Sequence, residues 1–414
     1  MSALEDWIER QRTVSAARLL ETVSSPVVKH RAHFFQTIVP ARGSVVASTQ
    51  LAAYDPDPDY FFHWYRDAAV VMDALYLLHR DGTITDGPSC FADFVHFNRG
   101  LAKLDGRQTT LPPAMPGFEK FLRRDLAAAH GKAISAETRV NPDGTLDITD
   151  WPRPQHDGPA LRALTVLRWL ECAPLAEAEI LLRDDLATVV GHARWPCLDI
   201  WEEEQGSHYY TILVSARALE SGADWMEKRE KHFADECRAE SRHLLGMLDD
   251  HWRGAHFGSR QLASGALSSR DIDIAVILAA IHGGGDGTHS PHDPRLMATL
   301  DQLADLFDGA YAINHDRPAG TAPAMGRYPG DAYYSGGAWY IATLGSAEFC
   351  YRAGQEARGD AFLETVRRFT PADGALSEQF DQTSGVQTSA KNLGWSHAAF
   401  ITCAAARRDA YLGR

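Results

Sequence analysis

Apolar residues along this chain recur mainly at three- and four-residue spacing, and the two-residue alternation of half-buried strands is rare. The segment RDAAVVMDALYLLHRDG (66–82) follows the helical spacing and ends at Gly82. DGPALRALTVLRWLE (157–171) opens on Asp157, read as a capping residue, followed by Gly158-Pro159. DIDIAVILAAIHGGG (271–285) is expected to start at Asp271 and to stop at its glycine cluster. SGGAWYIATLGSAEFCYRAG (335–354) and LGWSHAAFITCAAARR (393–408) are apolar nearly all round, the mark of helices enclosed on every side.

Further helical segments near 3–22, 89–105, 175–191, 207–222, 224–247, 292–307 and 357–368 bring the set to about twelve. Irregular stretches at 40–65, 106–156, 193–206, 309–334 and 369–392 fall between helix pairs. No composition shift or Pro/Ser-rich linker divides them. An even number of helices joined by long loops fits one all-α unit over 1–414, built of helical hairpins, such as an α/α barrel.

Composition narrows the function. At 45% hydrophobic and 23% charged residues, the chain can bury a large core. A net charge of −14 opposes binding to nucleic acid or anionic lipid, because phosphate recognition needs a basic face. No run of 18 apolar residues offers a membrane span. The N-terminus lacks a basic region followed by an apolar block, and the six cysteines are scattered without C-x-x-C. Both features point to a cytoplasmic protein, with a monomer favoured.

Five of the ten tryptophans (Trp64, Trp151, Trp201, Trp339 and Trp395) lie in or beside the loops that precede helices. Each has charged residues or a turn close by. Aromatic rings among carboxylates and an arginine suit a sugar, whose C–H face stacks on rings while its hydroxyls take paired hydrogen bonds. DIWEEEQGSHYYT (199–211) adds three consecutive glutamates, either the acidic first turn of a helix or a site that needs an acid.

The segments VVAS (45–48), DPDYFFHWYRD (57–67), RPQHDGPALRA (153–163), DIWEEEQGSHYYT, GRYPGDAYYSGGAW (326–339) and GALSEQFDQTSGVQTSAKNLGWSHAAF (374–400) run in one order over roughly 40–410. In that order they resemble the glucoamylases of glycoside hydrolase family 15. The resemblance implies an (α/α)6 barrel and exo-hydrolysis of α-glucosides with inversion, without a cofactor or metal. It places the general acid at Glu202, a sugar ligand at Glu203 and the general base at Glu378. Arg66 and Asp67 fall on the pair that grips the non-reducing terminal glucose. Tyr60, Trp64, Trp151, Trp201, Arg327, Asp331, Tyr333, Trp339, Ser389 and Trp395 fall on subsite positions.

The residues agree with those roles. A glycosidase needs one protonated and one ionised carboxyl across the scissile bond. Glu202, between Trp201 and Glu203, is expected to be held protonated by desolvation and like charge. Glu204 is expected to be a solvated loop charge. The chain departs from the family pattern at His63, His156, Gln205 and His397, and these changes are expected to cluster on the leaving-group side and leave linkage preference open. The chain ends soon after the last barrel helix, so no starch-binding module is expected and soluble oligosaccharides are favoured over granular starch.

Three alternatives remain. A relative specialised for isomaltose, dextran or trehalose would keep both carboxyls. A non-catalytic glucan sensor on the same barrel would have no need of Glu378, and an isomerase or epimerase would lean on paired histidines. HGGGDGTHSPHDP (282–294) has no metal-ligand spacing. DPDPD (55–59) reads as an extended approach to Tyr60.

Overall fold

The computed structural model describes residues 2–52 and 57–413; Asp55 and Pro56 of the DPDPD stretch lie outside the described residues. The helical periodicity becomes thirteen α-helices among the described residues: α1 (Ala3–Thr22), α2 (Tyr65–Arg80), α3 (Gly87–Leu101), α4 (Asp157–Leu170), α5 (Ala176–His192), α6 (Tyr209–Met226), α7 (Lys231–Leu248), α8 (Ala275–Gly283), α9 (Pro294–Ala310), the one-turn α10 (Ala312–His315), α11 (Tyr340–Arg352), α12 (Glu356–Phe369) and α13 (Gly394–Leu412). Without that one turn, the count is the expected twelve.

Burial sorts them into two layers. Helices α2, α4, α6, α8, α11 and α13 pack each against the next, and α13 returns to α2, closing a ring. The remaining long helices lie outside: α1 on α13, α3 on α5, α5 on α4, α7 on α6, α9 on α8 and α12 on α11. This is an (α/α)6 barrel. The inner helices are those with apolar residues nearly all round; every residue of α11 from Tyr340 to Tyr351 is buried. Small residues let the inner ring close. A Cβ on Gly345 of α11 would lie 2.5 Å from the Leu278 side chain of α8, and one on Gly158 of α4 would lie 2.6 Å from Cβ of Tyr65 in α2.

Among the described residues ten short strands organise the loops: β1 (Lys29–Arg31), β2 (Gln36–Ile38), β3 (His63–Trp64), β4 (Arg139–Val140), β5 (Cys197–Leu198), β6 (Gln205–His208), β7 (Arg260–Gln261), β8 (Ala338–Trp339), β9 (Gln379–Phe380) and β10 (Gln387–Thr388). Strands β3, β6 and β8 run directly into the inner helices α2, α6 and α11, so their pairing fixes where those helices begin. All pairs are antiparallel, with Trp64 opposite Arg139, His208 opposite Arg260 and Trp339 opposite Gln379.

Four local expectations are corrected. Asp157 is the first helical residue of α4 rather than its cap; the cap position is His156, with no side-chain cap bond. Asp271 lies in the loop before α8, and Asp273 accepts the Ala275 N–H at 2.8 Å instead. Residues 335–339 belong to a turn and to β8, because backbone pairing with β9 outcompetes helix there. The acidic run Glu202–Glu204 is not a first helical turn; it precedes β6, and α6 starts only at Tyr209.

Candidate active site

The connections that enter the inner helices meet at one end of the barrel around a pocket of about 300 Å³. Tyr60 and Trp64 come from the segment before α2, and Arg66 and Asp67 from its first turn. Trp151 and Pro152 precede α4. Ile200, Trp201, Glu202 and Glu203 precede β6 and α6. Arg327, Tyr333 and Trp339 precede α11, while Glu378, Leu393 and Trp395 precede or open α13. All five tryptophans singled out in the sequence line this pocket. Asp331 and Ser389 stand one contact behind it. Pro152, Ile200 and Leu393 had no chemical signature by which sequence alone could select them.

The Glu202 carboxyl is met by three donors. Trp64 Nε1 and Arg66 Nη2 reach Oε1 at 2.8 and 3.1 Å, and Trp151 Nε1 donates to Oε2. The expected like-charge neighbour is turned away. Glu203 accepts from Arg327 Nη2 at 3.1 Å, from Arg270 Nη1 at 2.8 Å and from the Tyr328 hydroxyl. Glu202 itself sits in the left-handed region, at φ 64°, a conformation a non-glycine residue holds only when its surroundings enforce it. Glu204, expected to be a solvated charge, is tied by Arg260 Nη1 at 3.0 Å and Ser268 Oγ at 2.7 Å.

The Glu378 carboxyl has a different environment. Its oxygens accept from the hydroxyls of Tyr60, at 2.9 Å, and Ser389. Burial pushes this carboxyl up to about 7, against the pull of those two hydroxyls. Between the two acids stand two rings: Tyr60 touches Glu378, Trp64 touches Glu202, and their ring centroids are 5.1 Å apart.

Arg66 and Asp67 are both buried, with Arg66 Nη2 3.2 Å from Asp67 Oδ2. Arg66 also reaches Gln155 Oε1 at 3.2 Å, and its guanidinium lies 5.0 Å from the Trp395 ring. Burial raises the Asp67 carboxyl to about 6, opposed by the Arg66 charge. Arg327 is clamped by both oxygens of Asp331, at 2.7 and 2.6 Å, and lies 4.6 Å from the Trp339 ring. The indole N–H groups of Trp339 and Trp395 have no hydrogen-bond partner among the described residues, leaving two donors in an aromatic wall.

Arg139 was not legible as part of this site. It is wholly buried, with its guanidinium 3.6 Å from the Trp151 ring and 4.8 Å from the Trp64 ring, behind both indoles that hold Glu202. Arg31 does similar work for the Tyr60 segment, binding Asp59 at 3.1 Å and the Phe61 carbonyl at 2.9 Å.

The four departures expected on the leaving-group side do not line the pocket. His63 is buried and accepts from the Val45 N–H at 3.0 Å; His156 stacks on His192 with ring centroids 5.2 Å apart. His397 meets Ser15 Oγ at 3.0 Å between α13 and α1, and Gln205 is exposed in β6. In the 282–294 stretch, His282 bonds to the Tyr210 hydroxyl at 2.7 Å and His289 to that of Tyr209 at 2.9 Å.

Comparison with known proteins agrees with this fold. The family described as glycosyl hydrolases family 15 matches residues 134–361 and 355–405. Glucoamylase 1 of Rhizopus oryzae is 25% identical over 478 aligned positions, covering 99% of this chain and 72% of the relative. An intracellular, sporulation-specific glucoamylase of Saccharomyces cerevisiae is 24% identical, covering 96% and 83%. The solved structure of Hormoconis resinae glucoamylase superposes with a TM-score of 0.81 at 26% identity, over 99% of this chain and 74% of that one.

Proposed function

We propose, from the premise that the chain belongs to glycosyl hydrolase family 15, that it removes single glucose units from the non-reducing ends of soluble α-gluco-oligosaccharides with inversion. The observation that carries this reading is one pocket holding two carboxyls in unlike surroundings, Glu202 on three N–H donors and Glu378 on two hydroxyls.

The chemistry follows from those surroundings. Glu202 Oε1 takes two donors and Oε2 one, so Oε2 is the oxygen left to carry a proton to the glycosidic oxygen. As the C1–O bond breaks, Glu378 removes a proton from a water attacking C1 on the opposite face, and the configuration at C1 inverts. Arg66 and Asp67 offer a donor and an acceptor side by side, suited to vicinal hydroxyls of the terminal sugar. Both lie in the first turn of an inner helix and line the pocket, where they would hold the terminal unit of a chain end. Carboxylates around the site favour the positive charge that develops on the sugar ring.

The proposed acting unit is the single barrel of the 1–414 chain, working as a monomer. All six cysteines are free, which supports a reducing, cytoplasmic setting. Among the described residues no helix is long and apolar enough to cross a membrane. The test is a product time course on maltose, isomaltose, trehalose and a linear malto-oligosaccharide. Glucose as the first and sole small product supports the reading. Internal fragments, or no hydrolysis of any of the four, would overturn it.

A further inference from the structure

The strained turn that carries Glu202 is gripped from behind by one residue outside the pocket. Residues 199–204 fold back so that the Asp199 N–H donates to the Glu204 carbonyl at 3.1 Å and the Glu202 N–H to the Asp199 carbonyl at 3.0 Å. The Asp199 carboxyl also accepts the Glu203 N–H at 2.9 Å. Arg260, opposite His208 in the β6–β7 pair, spreads its guanidinium across this turn. Nη1 donates to Asp199 Oδ2 at 2.6 Å and to Glu204 Oε2 at 3.0 Å, while Nη2 donates to Asp273 Oδ2 at 2.5 Å. Nε is used as well, on Ser259 Oγ at 2.9 Å.

Each grip has a consequence for Glu202. Asp199 and Glu204 are the two ends of the turn, so Arg260 clamps it shut on either side of Glu202 and its left-handed φ of 64°. Asp273 accepts the Trp201 indole N–H at 3.1 and 3.0 Å, fixing the ring immediately before Glu202. Three carboxylates face one guanidinium, and the side chains of Asp199, Asp273 and Arg260 are all buried. Without the fork, those carboxylates repel one another and the turn loses the clamp that joins its two ends. A lysine supplies the charge at a single point and cannot span three partners.

We propose that Arg260 is a positioning residue that holds Glu202 where it can protonate the leaving-group oxygen. This rests on the reading of Glu202 as the general acid. The consequence is selective: disturbing Arg260 harms the reaction in proportion to the leaving group's need for a proton.

The experiment compares Arg260→Lys, Glu204→Gln and Glu202→Gln on two substrates of equal glycone, maltose and α-D-glucosyl fluoride. The sugar alkoxide of maltose needs protonation to depart; fluoride leaves largely unaided. In Arg260→Lys, kcat on maltose is expected to fall on the order of 10²-fold from misplacement of the acid. KM should change little, and kcat on the fluoride should stay close to wild type. Glu204→Gln keeps the Asp199 and Asp273 contacts and should show the same selectivity in milder form. Adding Arg260→Lys to Glu202→Gln should cost maltose nothing further. Equal losses on both substrates, or none, would overturn the proposal. If Arg260→Lys fails to fold, the substrate selectivity of Glu204→Gln decides in the same way. Equal losses in Glu202→Gln alone would instead reject the acid role of Glu202, a different outcome from a failure of Arg260.

Discussion

Replacing Glu378 by Gln is expected to abolish turnover while making the folded protein more stable above neutral pH. Glu378 is 4% exposed, and burial raises its carboxyl from the usual 4.5 to about 7. A carboxyl held above its unfolded value costs nothing below that value. The cost grows as pH rises through the window from 4.5 to about 7 and is complete above it. At about 1.36 kcal/mol per pKa unit, it amounts to about 3 kcal/mol at pH 8 and under about 1 kcal/mol at pH 5. Gln has nearly the same shape and no charge. Its carbonyl can accept from one of the Tyr60 and Ser389 hydroxyls, and its amide can donate to the other. With roughly 2.1 cal/mol/K of unfolding entropy per residue over this chain, about 3 kcal/mol raises Tm by about 3–4 °C. Calorimetry of both proteins at pH 8 and pH 5, at equal ionic strength, reads the effect. An unchanged or lower Tm at pH 8, or a gain of equal size at both pH values, would refute the reasoning.

The same carboxyl sets the pH dependence of activity. In its proposed role Glu378 must be ionised to activate water, so the acidic limb of kcat/KM is expected near pH 7 rather than 4.5. Ser389→Ala removes a hydrogen bond that favours the carboxylate and should move that limb higher; a limb that stays or falls contradicts this. Asp67→Asn removes the acceptor proposed for every terminal glucose, so kcat/KM should drop by a common factor, on the order of 10² or more, for maltose, isomaltose and longer chains. Unequal losses across substrates would count against Asp67 as a terminal-sugar contact. Exchanging His156 or Gln205 is expected to leave the maltose-to-isomaltose ratio unchanged within about twofold, because neither lines the pocket. A larger change would show that the geometry misplaces the leaving-group side.

Much of the fold was legible because inner and outer helices differ in pattern. A helix enclosed on all sides, such as 340–352, carries apolar residues all round, while its outer partner at 356–369 shows one apolar face. The pocket residues were legible because tryptophan beside a carboxylate or arginine in a loop is an uncommon pairing. Helix starts failed where strands of four and two residues intervene, at 205–208 and 338–339, since pairings that short leave no period to read. Arg139 and Arg260 were invisible for another reason. Their meaning lies in partners far along the chain, Trp64 for one and Asp199 for the other, and each reads locally as an ordinary arginine between helices. Glu204 misled in the opposite direction, because nothing in its own segment announces the Arg260 that holds it. The histidines looked like site residues by adjacency alone; they point into the packing between helices.

The central claim is that Glu378 activates water instead of attacking carbon, with Glu202 supplying the proton. In an inverting pair the carboxyls stand about 6.5–9.5 Å apart, leaving room for that water; a nucleophilic pair stands at about 5–5.5 Å and retains configuration. Proton NMR of the anomeric region during the first minutes of maltose hydrolysis distinguishes the two directly. The account predicts β-glucose as the initial product, with the α anomer growing in only as mutarotation proceeds. Initial α-glucose would contradict it and would require a covalent glucosyl intermediate.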